Sequence, residues 1–212
     1  MQKKIREFCM ANKWMIVSFL LVWLCLLVFS FIYSKIQTHL MLNGLHTTGL
    51  DIFFKYITII GEWFPVGVGV VLLVWTRRGG FLILLSQGLT ALITQGLKFV
   101  FAAPRPATYF DQKGVELPPT VPGETTKYWN SFPSGHTSAA FALFTCLALM
   151  TPRKWAPLWM TAAWAVAYSR IYLSHHFLED ILFGSVIGMI SSCAVYLLME
   201  RYYNNLILNT KI

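Results

Sequence analysis

Three short clusters in this 212-residue chain carry side chains suited to chemistry on an anion. The first is Lys98 with Arg105 and Pro106. The second is Pro133-Ser134-Gly135-His136. The third is Ser169-Arg170, followed by His176 and Asp180. Lys98, Arg105 and Arg170 supply three positive charges, and the planar guanidinium fork matches phosphate oxygens. Ser134 and Gly135 open an apolar helix, where free backbone N–H groups and the helix dipole favour an anion. His176 and Asp180 are spaced to share one helix face, so the carboxylate can hold one ring nitrogen and leave the other free to attack. His136 adds a second imidazole in a different setting. A phosphate nest with two separately placed histidines points to phosphoryl transfer.

Each cluster also has a plainer explanation. Lys98 can be an anchor that snorkels to the membrane surface. Pro133-Ser134-Gly135-His136 can simply start a helix, and His176 with Asp180 can be an ordinary i,i+4 polar pair. Arg170 resists such an explanation, because it falls near the hydrocarbon boundary, where a charge is costly and usually functional. The clusters are scattered over some eighty positions, yet the topology derived below brings all three to one membrane face. His175 is expected about 100° around a helix from His176, as a bystander and the fallback nucleophile. Glu62, read as mid-span, is expected to pair with Lys55 or to line a head-group pocket. Trp14, Trp63, Trp75, Tyr128, Trp129, Trp155 and Tyr172 read mostly as an interfacial aromatic belt.

The elements that must position these residues are membrane helices. Hydrophobic residues make up 56% of the chain and charged ones 12%, against roughly 45–50% and 25% in soluble proteins. Six apolar stretches are long enough, or nearly so, to cross a bilayer: Trp14 to Tyr33, Ile52 to Trp75, Gly80 to Phe101, Ser134 to Met150, Trp155 to Ser169, and Phe177 to Met199. The first follows a basic start (Lys3, Lys4, Arg6, Lys13) and reads as a retained span rather than a cleaved signal. The fold class expected is all-α: a polytopic six-helix membrane bundle, forming one domain over residues 1–212. The net charge of +8 does not indicate nucleic acid, since much of it flanks the apolar stretches. Ten Lys and Arg, including Arg77, Arg78, Arg153, Lys154, Arg201 and Lys211, fall on one side with only Glu7 and Glu200. By the positive-inside rule both termini are cytoplasmic. The outer side then receives Ser34 to about Leu50, with Asn43-Gly44 as a turn signal. It also receives Ala102 to Pro133, which holds six of the nine prolines. Cys9, Cys25, Cys146 and Cys193 show no metal-ligand or redox spacing and read as packing thiols.

The spacings Lys98-x6-Arg105-Pro106, Pro133-Ser134-Gly135-His136 and Ser169-Arg170-x5-His176-x3-Asp180 resemble, in order and without departure, the three motifs of the type-2 phosphatidic acid phosphatase superfamily. The resemblance extends to the six-span layout over nearly the whole chain. It implies that His176 is the nucleophile of a phosphohistidine mechanism, oriented by Asp180, and that His136 is the general acid. It assigns Lys98, Arg105, Ser134, Gly135 and Arg170 to phosphate binding. It also implies chemistry without a metal or other cofactor, in keeping with a sequence that lacks clustered carboxylates for hard cations. The expected substrate is a lipid phosphate or diphosphate in the bilayer, of the undecaprenyl diphosphate, phosphatidylglycerophosphate, lipid A or phosphatidate class. By analogy the protein sits in a bacterial cytoplasmic membrane with its active site facing the periplasm. A lipid-to-lipid phosphotransferase would use the same residues. A non-catalytic lipid-binding or transport protein would have no need of two histidines and an aspartate, and vanadate-dependent haloperoxidases of similar motif are typically soluble. The sequence carries no signal for oligomeric state.

Overall fold

The structure is a computed structural model that describes residues 2–118 and 120–209. Lys211 of the charge pattern and Pro119 of the proline-rich loop lie outside the described residues. Among those described, every regular element is helical apart from one isolated bridge between Pro104 and Trp129. The helices are α1 (Gln2–Ala11), α2 (Lys13–Ile32), α3 (Lys35–Asn43), α4 (Thr48–Ile57), α5 (Phe64–Trp75), α6 (Arg77–Phe101), α7 (Pro106–Gln112), α8 (Gly135–Met150), α9 (Ala156–Tyr172) and α10 (Leu178–Asn209).

All six apolar stretches fall on helices, with changed boundaries. Three helical segments are long and apolar enough to cross a membrane alone: Lys13–Ile32, Arg77–Phe101 and Leu178–Tyr202. The second stretch is broken. α4 and a 3₁₀ turn (Thr48–Gly61) meet α5 at a 54° bend, and Pro65, in the first turn of α5, cannot continue the helix before it. α8 and α9 have only 16 and 17 residues. The two outer segments, expected to be non-spanning, contain helices of their own. α3 starts at a capping box in which Ser34 and Gln37 each bond the other's backbone N–H. α7 begins at Pro106, where a missing N–H costs nothing. α6 ends where Ala102 adopts a left-handed conformation, φ 38°, and donates its N–H to Lys98 O.

α8 lies at the centre, against α6, α9 and α10. Its first turns meet α10 at Gly184, where a Cβ would lie 2.8 Å from the carbonyl oxygen of Ser134. Contact that close requires glycine. Below it, Phe141 and Trp164 meet edge to face at 4.8 Å, and Phe19 of α2 completes the cluster. The backbone that carries Ser134 to His136 is therefore seated on packed helices rather than in a loose loop. Two smaller expectations need correcting. Tyr172 is fully buried and donates to Asp51 Oδ1 at 2.5 Å, so it is no interfacial aromatic. Cys9 and Cys25 are exposed, whereas Cys146 is buried and the half-buried Cys193 packs against the core.

Candidate active site

All eight residues assigned from the sequence gather where the ends of α6, α8, α9 and α10 converge. His176 does not stand on a helix. α10 begins at Leu178, so His176 belongs to the lead-in strand of chain and meets Asp180 across the first turn. Asp180 Oδ2 lies 3.4 Å from His176 Nδ1, and it accepts from Phe177 N at 2.8 Å and Ser131 Oγ at 2.5 Å. The carboxylate thus fixes the lead-in chain and stands beside the ring, whose Nδ1 makes no hydrogen bond of its own among the described residues. On the other side of the ring, Arg105 Nη1 stands 3.5 Å from Nε2. A guanidinium can only donate, so Nε2 presents its lone pair and the ring proton belongs on Nδ1, toward Asp180. Burial holds His176 well below the ordinary imidazole value, and Arg105, Arg170 and Lys98 add to the effect. His176 is a buried, neutral imidazole with one nitrogen available.

The arginines do more than await an anion. Arg105 donates to the carbonyls of Trp129 (2.8 Å), His175 (3.0 Å) and Asn130 (3.4 Å), sewing the proline-rich loop to the α9–α10 turn. Arg170 donates to Thr58 Oγ1 and, at 2.5 Å, to His175 Nδ1. Its Nε is buried with no hydrogen-bond partner, a donor suited to an oxyanion. Ser134 caps α8: its Oγ accepts from Thr137 N, and its own N–H donates to Asp180 O at 3.0 Å. A Cβ at Gly135 would lie 3.8 Å from Lys98 Nζ, so the ammonium stands beside the free N–H groups of the α8 start.

His136 lines a cleft of about 700 Å³ that runs from Lys98, Arg105 and Lys127 along Thr94, Ala91 and Gly88 of α6. Its Nε2 lies 3.0 Å from Glu62 Oε1. Glu62 is not paired with Lys55, which instead donates to Pro122 O. It sits at the break midway along the second stretch, before α5, and lines this cleft. His175 is likewise not on a helix. Its Nδ1 accepts from Arg170, and Nε2 faces Glu124 Oε2 at 3.7 Å. Burial, with Arg170, Lys127 and Arg105, pushes it down to about 3. Each of the three histidines thus has its own carboxylate.

Sequence reasoning missed Glu124, Lys127 and Ser131, all in the proline-rich loop, and the support beneath the α9–α10 turn. Asn43, read as a turn signal, is the buried last residue of α3. Its Nδ2 donates to Ile171 O (3.0 Å) and Tyr172 O (2.7 Å), capping α9, and reaches Ser174 Oγ at 3.1 Å. Ser174 has φ 52°, a left-handed conformation, and His39 Nε2 holds its hydroxyl from the other side at 3.2 Å. No spacing in the sequence links positions some 130 residues apart.

The model of the PAP2 superfamily matches residues 79–203, which include all three clusters. The chain belongs to the PAP2 superfamily. It is 31% identical over 168 residues to a Lipid A 4'-phosphatase of Porphyromonas gingivalis, covering 74% of this chain and 69% of the relative. It is 27% identical over 156 residues to an Undecaprenyl-diphosphatase of Sulfolobus acidocaldarius, covering 74% and 68%. Among solved structures, Aquifex aeolicus LpxE superposes with a TM-score of 0.69 at 24% identity, covering 77% of this chain and 96% of that one. A PAP2-type phosphatidylglycerolphosphate phosphatase from Bacillus subtilis gives 0.62 at 23%, covering 87% and 96%. Those two share the fold. Together with its long apolar helices, PAP2 membership makes this chain an integral membrane protein.

Proposed function

We propose that this PAP2 protein hydrolyses a phosphomonoester or diphosphate on a lipid head group through a phosphohistidine at His176. The class of enzyme, a membrane lipid phosphatase, follows from the family and its named relatives. The observation that carries the mechanism is the setting of His176: buried, neutral, its Nε2 lone pair turned toward Arg105 and its Nδ1 toward Asp180. Nε2 attacks phosphorus, and the bond from phosphorus to the lipid oxygen breaks. His136 gives its proton to that leaving oxygen. Water then attacks the phosphohistidine and returns a proton to His136, and the N–P bond breaks to release inorganic phosphate. Lys98, Arg105 and Arg170, with the backbone of Ser134 and Gly135, hold the phosphate oxygens throughout. The reaction needs no metal in this scheme. A cleft along α6 suits a substrate whose tail stays in the bilayer.

This reading takes the chain as one six-span domain with both termini cytoplasmic and the site periplasmic, in a bacterial inner membrane. Named relatives act on undecaprenyl diphosphate and lipid A, which places those lipids first in an assay panel. The test is phosphate release by purified protein in detergent from such a panel and from nitrophenyl phosphate. General acid catalysis is worth about 10²–10⁴-fold, so His136→Ala loses that much on a lipid alkoxide and clearly less on nitrophenolate, which leaves without a proton. His176→Ala is nearly inactive on both, because no covalent intermediate forms. Equal losses for His136→Ala would remove the general acid, and an active His176→Ala would move the nucleophile. Phosphate found on an added lipid instead of in solution would make the enzyme a transferase.

A further inference from the structure

The break in the second apolar stretch falls at Gly61 and Glu62, and it is pressed directly onto His136. A Cβ at Gly61 would lie 2.7 Å from the carbonyl oxygen of His136 and 2.8 Å from its Cβ, so only glycine permits the approach. The next residue turns its carboxylate to His136 Nε2 at 3.0 Å. We infer that Glu62 is a positioning residue for His136, holding the imidazole at the cleft wall and supplying the negative charge that keeps it a proton donor. The inference rests on the general-acid reading of His136 and adds to it a residue outside the three motif clusters.

The charges around His136 show why such a residue is needed. Lys98 of α6, Arg105 and Lys127 of the proline-rich loop line the same cleft. Arg170 of α9 and His175, the residue before His176, line the adjoining recess with Lys55 and Glu124. Those cations are what a phosphate requires, yet a general acid must carry a proton among them. Glu62 is the carboxylate in contact with the ring, and its charge acts on the imidazole as a whole. Its own proton count need not change. The proton that leaves His136 with the lipid oxygen comes back from the water that opens the phosphohistidine. The Glu62 side chain is 47% exposed and that of His136 20%, so solvent screens part of the interaction.

The experiment compares Glu62→Gln, Glu62→Asp, His136→Ala and the double variant Glu62→Gln/His136→Ala, purified in detergent, for kcat/KM against pH on lipid phosphate and nitrophenyl phosphate. An adjacent opposite charge moves a titration by about 1–3 units, and partial exposure puts this pair at the lower end. Glu62→Gln is therefore expected to move the alkaline limb down by about one pH unit. Beyond that limb it loses about tenfold on the lipid and much less on nitrophenyl phosphate. Glu62→Asp keeps the alkaline limb at the wild-type pH, and in the His136→Ala background Glu62→Gln costs nothing further. An unmoved limb, equal losses on both substrates, or an additive loss in the double variant would each overturn the inference while leaving His136 as the acid. If His136→Ala itself loses equally on both substrates, the general-acid reading falls and this inference with it. Thermal unfolding in detergent accompanies each variant. Should Glu62→Gln fail to fold, Glu62→Asp carries the test, and a displaced alkaline limb in that variant overturns the inference.

Discussion

Ser131 offers a direct test of how His176, the proposed nucleophile, is held. Its hydroxyl is buried and donates to Asp180 Oδ2 at 2.5 Å. A hydrogen bond to a charged group contributes about 1.5–3 kcal/mol, which corresponds to roughly 10- to 150-fold if all of it were felt in the transition state. Ser131→Ala removes that bond and leaves the second, from Phe177 N at 2.8 Å, so the carboxylate keeps part of its orientation. The expected loss in kcat/KM is therefore near the lower bound, about tenfold. Because the bond exists in the resting enzyme as well, some of its energy will surface as a lower Tm. The assay is phosphate release in detergent on lipid and nitrophenyl phosphates, with thermal unfolding on the same preparations. In the proposed mechanism His176 serves both substrates, so the loss should be equal on the two, unlike that of His136→Ala. A Ser131→Ala enzyme with wild-type kcat/KM and Tm would refute the reasoning, since the hydrogen bond would then carry no energy that either state uses.

The remaining predictions concern pH, ions and topology. His176 is held well below 6.5, and the proposed mechanism uses its neutral form; activity should thus persist as pH falls through 6.5 and fail only near the depressed value. A half-loss of kcat/KM close to 6.5 would contradict that. Activity should survive EDTA and be inhibited by vanadate, which mimics a five-coordinate phosphoryl group; turnover lost to chelation and restored by Mg²⁺ would replace the histidine-only scheme. In intact cells, with the four native cysteines replaced, a single cysteine at Gln112 should label from outside and one at Arg78 only after permeabilisation, and the reverse would place the site in the cytosol.

The three clusters were legible because each is local: Lys98 with Arg105, Ser134 with His136, Arg170 with His176 and Asp180 are fixed by spacing within a few turns. The apolar stretches were legible for the same reason. What joins the clusters was not. Ser131 meets Asp180 across 49 positions and Glu62 meets His136 across 74, and no periodicity marks such pairs. Glu62 looked like a charge inside a continuous helix because hydropathy does not reveal a break, although Pro65 three residues on was the available sign. The i,i+4 spacing of His176 and Asp180 suggested a helix face. The pair is real, but it forms where the chain approaches α10, because Asp180 bonds Phe177 N in place of a preceding helical turn.

The shortness of α8 has a consequence for the lipid. At about 1.5 Å per residue its 16 residues cover roughly 24 Å, less than the roughly 30 Å of a hydrocarbon core. The helix escapes that length rule because its neighbours, not lipid tails, surround it: all residues from Ala140 to Cys146 are buried. Thickness matching falls to α2, α6 and α10, which face the bilayer. The start of α8, and with it the proposed phosphate site, can then lie deeper than the head-group plane, and a substrate must sink toward it while its chain bends aside. A thinner membrane shortens that descent. The enzyme would then read hydrophobic mismatch as a substrate-loading cost, and its turnover in vesicles would rise as acyl chains shorten.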